Sequence, residues 1–495
     1  MNRLPKLGIA VLLFLQTLAP TASAAPLSWQ PQGSLPANSA STGALGVIYG
    51  KGQFLVTDRM AGTYTSSDAK AWTSHAPTPW ISPIKFLNGR FFGGGTTGNG
   101  KYLAVSDDGL AWRTGTDSWA MAPVADVAYG KGRYVMGLFN GVPTMISSDL
   151  KTMTYSQSPV IGPMRGVTYG KGLFVGAADG MYYSADGLTW TEAVPPLGAP
   201  ASGDGFTDVV YGGGRFVAVG LTGMATGTVK GVLYTSTDGK RWAQAPIDAT
   251  GLYGVAFGGG RFVAFGPKSI ITSEDGEHWT AEANGSGAMT FAYGAGKFVA
   301  VAPDRTVMAA AVCGSRFPDV AAGHSACDAV EALSRQQILS GYPDGSFRPG
   351  TAVTRAELAK MLTLVRGLKP EPTSSLPFSD TAGHWAASSG YLQAAVTAGM
   401  INGFPDGTFR PNQPVTRAEA AKMVAAAAGL QPGAGAAYRD ITGGDWFAGW
   451  VAAARGADLL GAGGYHSLWA EQDFRGNAAA DRGEAATLLD NLGNY

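Results

Sequence analysis

The chain has 495 residues, 45% of them apolar, with 36 basic and 36 acidic side chains. That length and apolar share allow several domains with real cores. The balanced charge excludes the basic field of a nucleic-acid-binding protein, and 72 glycines with 10% aromatic residues suit many short strands joined by tight turns.

Arg3 and Lys6, an apolar run over Leu7–Leu18 and the small residues Ala22, Ser23 and Ala24 have the layout of a secretory signal cleaved after Ala24. No later apolar run is long enough to cross a membrane, so the expected mature chain has no membrane span. The two cysteines, Cys313 and Cys327, form an even pair in an exported chain, which favours a disulfide between them over the alternative of two separate thiols.

From residue 45 to residue 301 a pattern Val-x-Tyr-Gly-x-Gly-x-Phe-Val recurs seven times, 36 to 46 residues apart, with its aromatic anchor at Tyr49, Phe86, Tyr129, Tyr169, Tyr211, Phe257 and Tyr293. Apolar residues alternate on both sides of the glycine pair, the period-two pattern of two strands across a hairpin. A second pattern, Ser-x-Asp-Gly-x-x-Trp in its clearest form, follows the first six copies and carries Asp68, Asp108, Asp149, Asp186, Asp238 and Asp275. Its Asp can accept nearby backbone N–H groups and fix a turn, and its Trp can pack against the next unit. Ala69 and Leu150 stand where the other copies have Gly, and Met153 replaces one Trp.

Units of about 40 residues with four short strands are the mark of β-propeller blades. The turn pattern resembles the Asp-box (BNR-like) repeat of sialidase-type propellers, over about Leu27–Val312. The seventh unit lacks a turn motif of its own. The stretch from Leu27 to Pro31 resembles the sequence around each repeat's Trp, so an N-terminal strand is expected to complete the seventh blade and close the ring.

After Val312 the composition turns to Ala- and Leu-rich helical segments, expected over Ser325–Arg335, Ala356–Val365, Ala387–Ala398 and Ala418–Ala428. The stretch Gly341–Pro349, followed by Thr354-Arg-Ala-Glu357, returns almost unchanged as Gly403–Pro411 and Thr416-Arg-Ala-Glu419. A third copy ends in Asp481-Arg-Gly-Glu484. Thr354 with Glu357 spells a capping box. The arginine at the first helical position is not explained by capping, because the helix dipole disfavours a cation there. A guanidinium beside free helix N–H groups would instead receive a carboxylate or phosphate.

These three repeats resemble S-layer homology (SLH) domains. The resemblance implies a multidomain chain: signal peptide 1–24, an all-β propeller at 25–312, and an all-α bundle of three SLH repeats at 313–370, 371–432 and 433–495. It implies non-covalent anchoring to the cell wall through an anionic, often pyruvylated, secondary cell wall polysaccharide, and hence a cell-surface location. Carried over, Arg355, Arg417 and Arg482 would meet the polymer's carboxylate, Trp385 and Trp446 would pack on sugar rings, and Asp319, Asp380 and Asp440 would support the groove; helix capping by these Asp residues is the alternative. The first repeat has Ser325 where the second has Trp385, and the third replaces Pro-Asp-Gly by a different turn over Gly461–Phe474. The second repeat keeps the pattern best, which ranks Arg417 with Trp385 as the leading contacts.

Glycoside hydrolysis would need two facing carboxylates. Asp58, Asp126, Asp179, Asp204, Asp208 and Asp304 are candidate carboxylates outside the turn motif in the propeller, and nothing in the sequence pairs them. The five histidines show no metal-ligand spacing. No metal, cofactor or catalytic residue is expected. A propeller displayed for a glycan or protein ligand is the leading reading; a wall-tethered hydrolase and a purely structural envelope component are the alternatives.

Overall fold

A computed structural model describes residues 27–36, 44–58, 62–75, 81–97, 100–114, 124–139, 144–156, 162–194, 205–282, 290–302, 304–312, 316–320, 324–370, 372, 376–434, 438–457, 459–460 and 473–493. The signal segment, Cys313 and most of the rebuilt turn of the third copy lie outside them. Among the described residues the β-region forms seven four-stranded antiparallel sheets, the blades of a propeller. In blade 4 the strands are Gly166–Gly170, Leu173–Ala177, Met181–Ser184 and Thr191–Glu192, with hairpin pairs such as Tyr169 against Phe174. Blade 7 takes its outer strand, Gln30–Ser34, from the other end of the chain; it pairs antiparallel with Thr306–Ala311. Leu27 N–H adds a bond to Glu282 in blade 6, and Trp29 is buried edge-on against Phe291. The ring is therefore closed by pairing, which removes a sheet edge.

The glycine after each aromatic anchor has a steric cause. The anchor ring of one blade lies on the glycine Cα of the blade before it: Phe86 on Gly50, Tyr169 on Gly130, Tyr211 on Gly170, Phe257 on Gly212, Tyr293 on Gly258, and Tyr49 on Gly294 across the closure. A Cβ at any of these would sit inside the ring. Leu87 occupies this slot in blade 2, where it packs with Tyr129. Cores lie between blades: Val135 and Ile146 of blade 3 meet Phe174 and Trp190 of blade 4.

The second motif also staples blades. Asp68, Asp108, Asp149, Asp186, Asp238 and Asp275 each accept the backbone N–H groups two and three residues on, at 2.7–2.9 Å. The N–H groups of Ala71 and Lys70 hold the Asp68 carboxyl down to about 2. Lysines in the inner hairpins then reach a carbonyl of the next blade's turn: Lys131 to Ala185, Lys171 to Thr237, and Lys297 of blade 7 to Asp68 of blade 1. Ala69 and Leu150 hold the left-handed backbone that Gly takes elsewhere, with φ of 64° and 59°. A non-Gly residue there costs about 1–2 kcal/mol. Ala69→Gly is therefore expected to raise stability by roughly 0.5 kcal/mol after its own entropy cost, readable as a small rise in the melting temperature.

The C-terminal region contains α1 (Cys327–Arg335), α2 (Arg355–Val365), α3 (Trp385–Ser388), α4 (Tyr391–Thr397), α5 (Arg417–Ala427), α6 (Ala448–Gly456) and α7 (Arg482–Gly493). The helix expected over Ala387–Ala398 is broken, because Gly390 takes φ of 82° between α3 and α4. One core, including Phe347, Leu362, Phe409, Val424, Phe474 and Leu488, joins all of it. α1 rests on the hairpin face of blade 6: Arg335 donates to Gly259 O at 3.1 Å and pairs with Glu274. Cys327 is buried at the start of α1 and is disulfide-bonded.

Candidate functional site

α2, α5 and α7 start at the same end of the helical region, interlocked in a cycle. Thr354 and Thr416 cap α2 and α5 through the full two-way box with Glu357 and Glu419. Asp481 and Glu484 make the same reciprocal bonds at α7. The sequence pattern suggested free N–H groups at the helix starts, but the first two of each helix are taken. Arg355 and Ala356 donate to Gln413 O and Pro411 O, Arg417 and Ala418 to Ala478 O and Gly476 O, and Arg482 and Gly483 to Thr351 O and Pro349 O. Each helix start is thus bonded to the following copy, and the third is bonded to the first. Any anion received here meets guanidinium groups alone.

The arginine side chains follow the same cycle. Arg355 is only 5% exposed. It donates to Phe409 O and Asn402 O, lies over the Phe404 and Phe409 rings, and pairs with Glu419 at 3.0 Å. Burial presses its guanidinium below the ordinary value and Glu419 opposes that. Arg417 donates to Phe474 O and pairs with Glu484. Arg482 donates to Phe347 O and Ser340 O and lies over Tyr342 and Phe347. Among the described residues no carboxylate lies within ion-pairing distance of Arg482, so the cycle of Arg–Glu pairs is open at this one position.

Asp319, Asp380 and Asp440 cap no helix. Each carboxylate accepts two consecutive N–H groups, those of Phe347 and Arg348, Phe409 and Arg410, and Phe474 and Arg475, at 2.6–2.8 Å. The second residue of each pair is an arginine held at φ of 55–58°, a strained conformation for a side chain with a Cβ. The carboxylates stabilise the turn that the preceding copy's arginine packs against, with Arg482 of the third copy serving the first. Trp385 and Trp446 are 44% and 58% exposed, unusual for indole rings. Trp385 opens α3, which packs on α2, so it stands beside the Arg355 helix. Trp446 precedes α6, which packs on α5, and lies 5.7 Å from Lys422 Nζ. The sequence ranking joined Arg417 to Trp385 within one repeat; the geometry joins each arginine to the repeat that follows.

In the propeller, side chains of three inner strands converge on the central channel. Lys85 Nζ lies 2.6 Å from Asp126 Oδ2 and donates to Val167 O. Asp126 accepts from Val127 N–H and from Val167 N–H of blade 4. Asp208 accepts from Val209 N–H and from Val255 N–H of blade 6. Thr290 does the same for Val47 N–H across the closure. These side chains clasp alternate blades. Lys85 was not singled out by any motif; Arg165 and Asp179 pair at 2.9 Å apart from this cluster. Asp275, Glu277 and His278 lie close enough to share a cation, but Asp275 holds its turn and His278, and Glu277 pairs with Arg215 at 2.7 Å.

Burial and the facing Asp126 carboxylate push the Asp208 carboxyl up from its ordinary 3.8, against the pull of Lys85. A carboxyl raised in the folded state contributes stability that is present below its unfolded value and lost as pH rises through the folded one. The propeller's melting temperature should therefore fall between the ordinary carboxylate range and neutrality, and Asp208→Asn should flatten that slope.

The S-layer homology domain family model matches residues 316–359 and 377–421. A cellulosome-anchoring protein of Acetivibrio thermocellus is 35% identical over 112 residues, 22% of this chain and 25% of that protein. An S-layer protein of Bacillus licheniformis is 33% identical over 125 residues, 25% of this chain and 14% of that protein. The chain thus spans a quarter or less of these relatives. Among solved structures, virginiamycin B lyase from Staphylococcus aureus aligns with 58% of this chain and 99% of its own at 12% identity and a TM-score of 0.47, too distant to carry a functional argument.

Proposed function

We propose that this is an exported cell-surface protein held non-covalently to the cell wall by its helical region, which displays the propeller. Its cell-surface location follows from the S-layer homology segments and the S-layer and anchoring relatives. The residues 433–495 act as a third SLH repeat, because Asp440, Arg482 and the Asp481–Glu484 box repeat the geometry of the matched copies. The ligand is an anionic, pyruvylated wall polysaccharide. Arg355, Arg417 and Arg482 set the positive field at the capped end, Trp385 and Trp446 stack on sugar rings, and Asp319, Asp380 and Asp440 fix the turns beneath.

The single observation that carries this reading is the open pair at Arg482. Arg355 and Arg417 are already matched by Glu419 and Glu484, so an incoming carboxylate finds its unmatched guanidinium at Arg482. The propeller lies at the opposite ends of α2, α5 and α7, and α1 sits on its hairpin face, which leaves the other face turned away from the anchor to bind a glycan or protein. The test is retention of the mature protein on wall carrying the polymer, with Arg482→Ala against wild type. A screen for polysaccharide hydrolysis separates display from a tethered hydrolase using Asp126 and Asp208; turnover lost in Asp126→Asn would favour the enzyme.

A further inference from the structure

The C-terminal ends of α2, α5 and α7 do not press flat on the propeller. They leave a cavity of about 810 Å³ between the helical region and the mouth of the propeller channel. Its basic liners are Lys131 and Lys171 from the inner hairpins and Arg366 at the end of α2; Tyr169 and Tyr211 form its rim beside them. No Asp or Glu lines it among the described residues. The nearest acid that Lys171 feels, Asp238, is committed to its turn and to Arg241 at 2.9 Å.

These cations are not consumed by the helix ends. The last carbonyls of α2 accept from Gly367 and Leu368 N–H, and those of α5 from Gly429 and Leu430 N–H, so both helices close on themselves. Lys131 and Lys171 each spend one donor on a neighbouring turn carbonyl and keep the rest. Loss of water and the repulsion of Arg215 and Arg366 lower the Lys171 pKa against the pull of Asp238, as expected of cations crowded together. The volume suits an organic ligand more than a single inorganic ion, and the liners offer cations, hydroxyls and glycine backbone to a hydroxyl-rich molecule.

We infer that this junction is a second anion site, distinct from the capped end, which binds a short acidic glycan bearing carboxylates against Lys131, Lys171 and Arg366. The site depends on both parts of the chain, so its occupation would fix the propeller to its anchor.

Calorimetry on the mature protein at low salt tests this with trigalacturonate and its fully methyl-esterified form, which has the same sugars without the charge. The free acid should bind roughly tenfold more tightly than the ester. Lys171→Gln/Arg366→Gln should weaken binding by a similar factor when introduced into Arg482→Ala, a background that removes the capped-end guanidinium. Arg366→Gln alone, at an exposed position, should weaken it by roughly threefold and guards against misfolding of the double variant. Equal binding of acid and ester, or wild-type affinity in both variants, would overturn the site. Equal affinity for inorganic tripolyphosphate would overturn its assignment to a glycan, and loss of binding in Arg482→Ala would return the ligand to the capped end.

Discussion

Gly294→Ala should destabilise the propeller by roughly 3 kcal/mol, at the upper end of overpacking effects. Gly294 is where blade 7 meets blade 1, and the Tyr49 ring lies against its Cα with no room for a methyl. Tyr49 is itself packed on Phe54 at 4.7 Å between centroids, so it cannot swing aside without breaking its own blade. The same step elsewhere in the ring would strain one interface of a closed structure. At this position it opposes the closure that the N-terminal strand secures. Denaturation of Gly294→Ala, Tyr49→Ala and the double variant measures the coupling. The double variant should be clearly more stable than the sum of the single losses, because removing the ring makes the methyl harmless. Strict additivity would mean that Tyr49 does not occupy this place.

Arg355→Ala should cost the helical region about 3–5 kcal/mol, the range for breaking a buried ion pair from one side. It leaves the part-buried Glu419 without its cation, and Glu419 also caps α5. Arg482→Ala should cost far less, since no carboxylate is stranded. The two chemically identical substitutions are thus expected to separate: one unfolds, the other only loses ligand. Circular dichroism melts of both variants check this. A large loss of stability in Arg482→Ala would show that this arginine, too, is structural. A consequence is that a variant lacking all three arginines cannot report on binding, because Arg355 alone would remove the fold.

The blades were legible because each is a repeat whose glycines and aromatics have one steric job. The spacing alone gave seven anchors, and the missing turn motif pointed to Leu27–Pro31 as the closing strand. The capping boxes were legible for the same reason: Thr354, Glu357 and their copies act within one helical turn. What was hidden lies between repeats. Arg355 is satisfied by Phe409 and Glu419, more than 50 residues away, and a motif read within one copy could not show that its helix N–H groups are taken by the next. The pairing of Trp385 with the Arg355 helix is hidden by the same cyclic offset. For Asp319, helix capping stood as the alternative to groove support because an Asp before a helix is often a cap; its partners, Phe347 and Arg348, lie beyond the helix. Lys85 and its carboxylates meet only because the ring closes, and no local pattern marks them.

On the proposed function, the capped end holds the protein to an anionic wall polymer through Arg482 and the exposed tryptophans. Co-sedimentation of the mature protein with purified cell wall, with and without its secondary polymer, tests it most directly. Wild type should sediment only with polymer-bearing wall, and a folded Arg482→Ala/Trp385→Ala/Trp446→Ala variant should remain in solution. Undiminished sedimentation of that variant, or equal binding to stripped wall, would show that the capped end does not hold the protein to the polymer.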